Sequence, residues 1–416
     1  MVSLSAGHLP TSPRAAFAHR DFRLYQAARF VFIVGIQMQS VAIGWQVYAL
    51  SHDPLQLGWV GLAQFLPLAV LALPAGHVAD RVERRRVLVV CFGIASIASL
   101  ALALAALFGA SLALLYALLF VLGSARAFYG PAGAAFLPTL VPKRDFPNAV
   151  AWSSTGWQIA TIVGPALGGV VYGAFGPSVV YFTAACAALA ALVLTRAVAV
   201  RGRGEHGSAP GLSALVAGLG YVARHKIVLG AITLDLFAVL LGGAVALLPA
   251  LAHDVLGVGP RGLGLLRAAP AVGAALMALR LAYRPIQQRA GQVLLGAVTV
   301  FGFATIALGL SSSFVVSLAS LVLLGASDMV SVFIRQNLVQ LGTPDQMRGR
   351  VSAVNLVFVG ASNELGELES GVTAAWLGVV PAVVAGGVGT LVVVLLAAFV
   401  FPELRRVSEL VPKQER

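Results

Sequence analysis

Twelve stretches of this chain are apolar over about 20 residues, the length that carries a helix across a bilayer. They run 24–50, 57–77, 87–108, 110–129, 148–173 and 178–198, then 228–252, 262–283, 291–310, 314–340, 351–376 and 381–401. This pattern leaves few options. In hydrocarbon a backbone amide has no water to bond to, so a stretch of this kind is helical, and the chain is expected to be an all-α integral membrane protein. Residues 87–129 are nearly continuous in hydropathy and about twice one span long, so Phe108-Gly109-Ala110-Ser111 is read as a tight turn. Gly176-Pro177 and the Gly378 to Pro381 stretch break two further hairpins in the same way.

Composition agrees. Hydrophobic residues make up 59% of the chain and charged ones 11%, with a mean hydropathy of +0.91, against roughly 25% charged residues in soluble domains. The net charge of +12 could suggest nucleic acid, and the placement of the charges argues otherwise. One set of loops holds the Arg81 to Arg86 cluster, Lys143, Arg144, Arg196, Arg201, Arg203, Arg224, Lys226, Arg280, Arg284, Arg289, Arg348 and Arg350. The opposite set holds Arg261, with Arg267 just inside the next span. Positive charge of this kind marks the cytoplasmic side, so both termini and the central loop are expected there, with no nucleic-acid partner. Eleven or thirteen spans would scatter the positive charges to both sides.

The chain also resembles itself. Ala49-Leu50-Ser51-His52-Asp53 matches Ala250-Leu251-Ala252-His253-Asp254, and Gly58, Gly61 and Leu62 match Gly259, Gly262 and Leu263. Gly123, Arg126 and Pro142 then correspond to Gly325, Asp328 and Pro344. The shared order implies a duplicated six-span unit, a recurrent transporter plan with the substrate path between repeats. The expected organisation is a cytoplasmic tail (1–23), a six-helix half (24–198), a linker with an amphipathic helix (199–227), a second six-helix half (228–401) and a cytoplasmic tail (402–416). Residues 1–23 carry Arg14, Arg20 and Arg23 and lack the apolar core of a signal peptide. Cys91 and Cys186 stand in apolar runs and are read as packing residues.

The loop after span 2 reads Gly76-His77-Val78-Ala79-Asp80-Arg81-Val82-Glu83-Arg84-Arg85-Arg86. Gly76 would admit a close helix, and Asp80 can face a helix N-terminus, with Arg81 and Arg84 as charge partners in a conformational latch. In its Gly, Asp and Arg spacing this loop resembles the signature of the major facilitator superfamily. Arg126 to Gly130 in span 4 resembles that superfamily's Arg-x-x-x-Gly element. Arg126, and its opposite-charged repeat mate Asp328, either face a partner or cavity or reach toward the cytoplasmic surface. In span 5, Gly164-Pro165-Ala166-Leu167-Gly168-Gly169 is similar to the superfamily's exporter and antiporter signature. Gly164 and Gly168 lie four apart for close packing, and Pro165 bends the span.

Span 11 carries Asn363-Glu364-Leu365-Gly366-Glu367-Leu368-Glu369 in an apolar stretch. Glu364 falls near mid-bilayer, and Glu367, three residues on, shares its face. Intramembrane acids are functional candidates. Glu364 and Glu367 are therefore proton-coupling candidates or else fixed partners of Arg126 or Arg335, with Asp235 in span 7 and Asp328 next. Gln37, Gln39 and Gln46 put amides into span 1, either lining the cavity or bonding between helices.

Further stretches, Ala125 to Ala132, Leu137 to Pro142, Arg348 to Asn355 and Ser362 to Glu367, resemble the bacterial enterobactin-exporter-like branch and macrolide and multidrug efflux proteins. Asn355 and Asn363 join Arg126 as cavity candidates on this likeness. It implies proton-driven export of siderophores or amphiphilic drugs from a bacterial inner membrane, with substrate, protons and membrane lipids as partners and a monomer as the unit. A lipid-moving facilitator, a proton-coupled importer and a non-transporting sensor are the alternatives. His residues are scattered and there is no Gly-x-x-x-x-Gly-Lys loop, so neither a metal, a cofactor, a catalytic residue nor ATP coupling is expected.

Overall fold

The computed structural model describes residues 12–109, 111–202, 212–286 and 288–407. Helices form where the apolar stretches stand, and punctuating residues set their ends. α1 (Arg20–Ser51) is followed by Asp53, whose carboxylate accepts from the Leu55 amide at 2.9 Å and caps α2 (Pro54–Arg81). α3 (Arg84–Phe108) ends at Gly109, φ +74°, a left-handed conformation that glycine adopts without a Cβ clash, and Ser111 caps α4 (Leu112–Phe136). α5 (Phe146–Phe175) and α6 (Pro177–Arg196) meet at Gly176. The amphipathic α7 (Leu212–Arg224) leads into α8 (Lys226–Leu241).

Span 7 is expected as one continuous stretch and is broken instead. After α8 come Gly242-Gly243, a 3₁₀ turn (Ala244–Leu247), a short α9 (Leu248–Ala250) and a π turn (Leu251–Val255). The glycine pair and Pro249 interrupt the helical ladder, and neighbouring side chains cover the loosened backbone. α10 (Pro260–Tyr283), α11 (Ala290–Leu310), α12 (Phe314–Leu341), α13 (Asp345–Leu377), α14 (Val379–Val400) and a final turn, α15 (Pro402–Arg405), complete the chain.

The protein is all-α, with twelve membrane-crossing segments in two six-helix bundles. Among the described residues, 11 segments are apolar and long enough to cross a bilayer without help. The twelfth is α13, 33 residues long, which falls short of that apolarity because of its three glutamates. It crosses packed between α2 and α8.

Within the first half α1 packs on α5 and α6, α3 on α4 and α6, and α2 on α4; within the second α10 packs on α12, and α11 on α12 and α14. Between halves α5 meets α10 and α2 meets α13, two interfaces that the repeat interchanges. The α5–α10 crossing is backbone on backbone. A Cβ added to Gly169 would lie 2.9 Å from the Gly264 Cα, and one added to Gly264 would lie 2.5 Å from the Pro165 carbonyl. Hydrocarbon gives no hydrophobic drive between helices, so such small-residue contact is what lets them approach. Cys91 is buried as expected of a packing residue, whereas Cys186 is exposed on α6, a correction that follows from its outward position on that helix.

Candidate translocation site

Arg126 on α4 and Glu364 on α13 form an ion pair across the two halves, Nη1 to Oε1 at 3.4 Å. Glu364 lies thirteen residues from the end of α13 at Leu377, about 20 Å at 1.5 Å per residue, so the pair is deep in the bilayer. The Arg126 side chain is 55% exposed and that of Glu364 14%, so the guanidinium stands in open space and the carboxylate against the helix wall. An arginine at this depth needs a partner or water, and here it has an acid from the opposite half.

Three more links cross the interface near this level. Arg267 on α10 donates from Nη1 to Ser40 Oγ on α1 at 3.1 Å, and its Nε is buried without a hydrogen-bond partner among the described residues. Gln158 on α5 donates to the Ala271 carbonyl on α10 at 2.8 Å. Glu367 lies against Gly61 of α2, where an added Cβ would come 2.6 Å from its Oε2. Glycine at 61 is therefore what makes room for the second acid. Gln37 sits against Gly164, whose added Cβ would fall 2.5 Å from the Gln37 Cβ. Gly168 does the same against the Met38 backbone, while Gly169 faces the other half.

Asp235 and Arg335 form a separate, buried pair inside the second half, 3.1 Å apart. Arg335 also donates to Asn355 Oδ1 at 2.7 Å, which ties α8, α12 and α13 together. Asp328 shares a small pocket with Asp235, lined also by Ser327, Ser331 and Phe301. Of the two cations offered to the α13 acids, Arg126 takes Glu364 and Arg335 is committed to Asp235. Asn363 is exposed.

The other span 1 amides serve packing within the first half. Gln39 Oε1 accepts from Ser99 at 2.8 Å and Gln46 Oε1 from Tyr181 at 2.7 Å, both buried. Arg29, which the sequence reading overlooks, donates to Ser153 on α5 beside the Phe32, Phe92 and Tyr129 rings. Its signal was available, since Arg29 stands five residues inside span 1, past the Arg20 and Arg23 that mark the cytoplasmic edge.

The loop after α2 is tied to the central linker. Arg84 Nη1 donates to the Ala135 carbonyl at 2.9 Å, Arg85 Nη1 to the Val198 carbonyl at 2.6 Å, and buried Glu83 pairs with Arg85 and Arg86. Asp21 of α1 accepts from the Val200 amide nearby. Arg81 is exposed, and the side chain of Asp80 lies outside the described residues. The close approach expected at Gly76 is not found. A Cβ there would meet no atom within 4 Å, because α2 makes its tight contact higher up, where Gln64 and Pro67 meet Gly123.

Two six-helix halves with an ion pair spanning the space between them define a class: this is a multi-pass membrane transporter. The chain belongs to the transmembrane secretion effector family of the major facilitator superfamily, whose family model matches residues 11–414. The enterobactin exporter EntS of Shigella boydii serotype 18 is 27% identical over 405 residues, covering 95% of each chain. EntS of Escherichia coli O1:K1 / APEC is also 27% identical over 95% of each. Among solved structures, an inward-facing bacterial homologue of the human lysosomal transporter Spinster superposes with a TM-score of 0.73 at 16% identity, over 96% of this chain and 99% of that one. A POT family transporter in complex with 5-aminolevulinic acid gives 0.74 at 12% identity, over 93% and 97%. The structural likenesses concern the fold.

Proposed function

We propose that the protein is a proton-coupled exporter of small organic molecules, of the siderophore or amphiphilic-drug kind, working by alternating access in a bacterial inner membrane with both termini cytoplasmic. The observation that carries this reading is the Arg126–Glu364 pair across the halves. An ionised carboxylate at that depth is costly alone and acceptable while Arg126 holds it. Protonation of Glu364 removes its charge and frees the Arg126 guanidinium, so proton and substrate compete for one site. Glu367, one turn away, is the second acid through which the proton passes, with Asp235 and Asp328 in reserve. The interhalf contacts from Gln158 and Arg267 up to Tyr48 lie at mid-helix and toward the end opposite the termini, the arrangement of a transporter closed on its outer side. The names of the EntS relatives support export.

The test is transport in inverted vesicles under an imposed pH gradient, with a panel of siderophores, macrolides and dyes. Glu364→Gln is expected to lose uphill, pH-driven flux while still binding substrate, and its residual flux to be insensitive to a protonophore. Unchanged pH-driven flux at normal expression would remove Glu364 from the coupling step.

A further inference from the structure

The two His-Asp dipeptides of the internal repeat, His52-Asp53 and His253-Asp254, come together at the end of the molecule opposite the termini. His52 follows the last turn of α1 in the left-handed conformation, φ 51°, and His253 stands in the π turn after α9. Their rings meet edge to face with centroids 5.5 Å apart. Trp45 and Tyr48, on the same face of α1 as His52, also contact the His253 ring, at 5.5 and 5.8 Å. Asp254 completes the clasp. One of its oxygens accepts from Tyr48 Oη across the halves, and the other lies 2.7 Å from His253 Nδ1.

The first half thus holds an imidazole of the second in a cage of three rings. His52 and Asp254 are exposed, so protons reach the cage from the bulk. Among the described residues, the other charged or titratable groups on the surrounding elements include Asp53, Tyr116, Tyr172, Tyr181, Arg261, Arg267 and Glu369. Asp53 is turned to the start of α2, accepting from the Leu55 amide and Gln56 Nε2. Tyr116 donates to Gln56, and Glu369 accepts from Thr373. Arg261 packs on Gly173 beside Tyr172. Both Asp254 oxygens are engaged, by Tyr48 and His253, so the clasp has one carboxylate for two imidazoles.

We propose that this clasp is a proton-binding site that gates the outer side, closed while at most one of the two histidines is charged and opened when both are. The proposal rests on the alternating-access reading above. A single proton on His253 meets Asp254 of its own half in either state, so it leaves the contact between halves nearly unchanged. A second proton on His52 sets two like charges ring to ring, and the other acid here, Asp53, is held to the start of α2 by the Leu55 amide and Gln56. Once the halves part, each imidazolium is hydrated on its own. The open state therefore binds more protons than the closed one, and by linkage acid on this side favours opening.

The experiment needs neither substrate nor a gradient. Spin labels at Phe175→Cys and Val315→Cys, one at this end of each half, in a Cys91→Ser/Cys186→Ser background in nanodiscs, report the gate by double electron–electron resonance. From about pH 8 to about pH 5, either side of the usual histidine range, the ratio of long to short distances is expected to rise about tenfold. His52→Gln keeps the His253–Asp254 pair and removes the second charge, so the acid response should disappear. His253→Gln should give a flat profile. A flat profile in the unmutated background, or acid opening retained in His52→Gln, would overturn the proposal. Each variant also shows a short-distance population at about pH 8 if it folds, and Tyr48→Phe, which keeps the ring cage, should retain the acid response with the gate more open throughout. pH-driven export with an unresponsive gate would reject the gate and leave the Glu364 reading standing.

Discussion

Asp235 and Arg335 are 6% and 4% exposed, so each is tolerable only beside the other. Removing one partner of a buried pair strands the other charge, at a cost of about 3–5 kcal/mol, whereas replacing both with apolar groups can be neutral. Asp235→Ala is therefore expected to lower the unfolding temperature in detergent strongly, and Asp235→Leu with Arg335→Met to recover most of the loss. Equal damage from the single and double variants would show that the pair contributes through some other contact. In the Arg126–Glu364 pair the guanidinium stands in open space instead, with the carboxylate against the helix wall, so Glu364→Gln should leave stability nearly unchanged and appear in transport. Glu367 depends on the glycine opposite. Gly61→Leu has no room beside its carboxylate, and this variant should lose pH-driven flux while still reaching the membrane.

At the scale of the helix, α13 is the element that its own sequence least explains. Three glutamates in a membrane helix cost about 2.5–3.5 kcal/mol each near its centre on the insertion scale for acidic residues. Placed alone as a test segment in a translocon assay, α13 is expected to insert poorly, and a Glu364→Leu/Glu367→Leu segment to insert well. Efficient insertion of the unmodified segment would mean that the acids need no partners from α2 and α4. The α5–α10 crossing makes a complementary prediction. Gly169→Leu overpacks a contact that exists while the halves are closed at this end, by about 1–3 kcal/mol, so the open population should rise about 5- to 150-fold, read as the loss of a cross-link between cysteines flanking it.

For the molecule as a whole, the distribution of arginines fixes orientation if the positive-inside rule applies. Glu205→Cys in the linker should react with an impermeant thiol reagent in inverted vesicles and stay unreactive in intact cells, while Phe175→Cys behaves the opposite way. Labelling of the linker from outside cells would reverse the topology, and with it the sense in which the far-end clasp is an outer gate. Under the alternating-access proposal the two bundles rock about the α5–α10 and α2–α13 interfaces, where Gly169 meets Gly264 and Gly371 meets Gly58.

Hydropathy, loop charge and turn residues determined the twelve crossings, because the bilayer admits one backbone solution and glycine or proline ends it. Eleven of the spans emerged as single membrane segments within seven residues of their expected limits, the largest departures being the end of α4 and the start of α13. The twelfth, span 7, broke at Gly242-Gly243 because close packing on α13 covers the exposed backbone: a Cβ on Gly243 would meet the Gly366 carbonyl at 2.8 Å. Charged residues inside spans were also legible as a set, since each needs a reason to be there. Who partners whom was not. Glu364 could have met Arg126 or Arg335, and Gln39 and Gln46 could have faced either the cavity or their own bundle. Those choices depend on helix rotation and on how two bundles lean together, distances of a few ångströms that no spacing along one chain encodes. The meeting of His52 with His253 is of the same kind: the repeat placed both at helix ends, and only the closure of one half on the other brought the rings into contact.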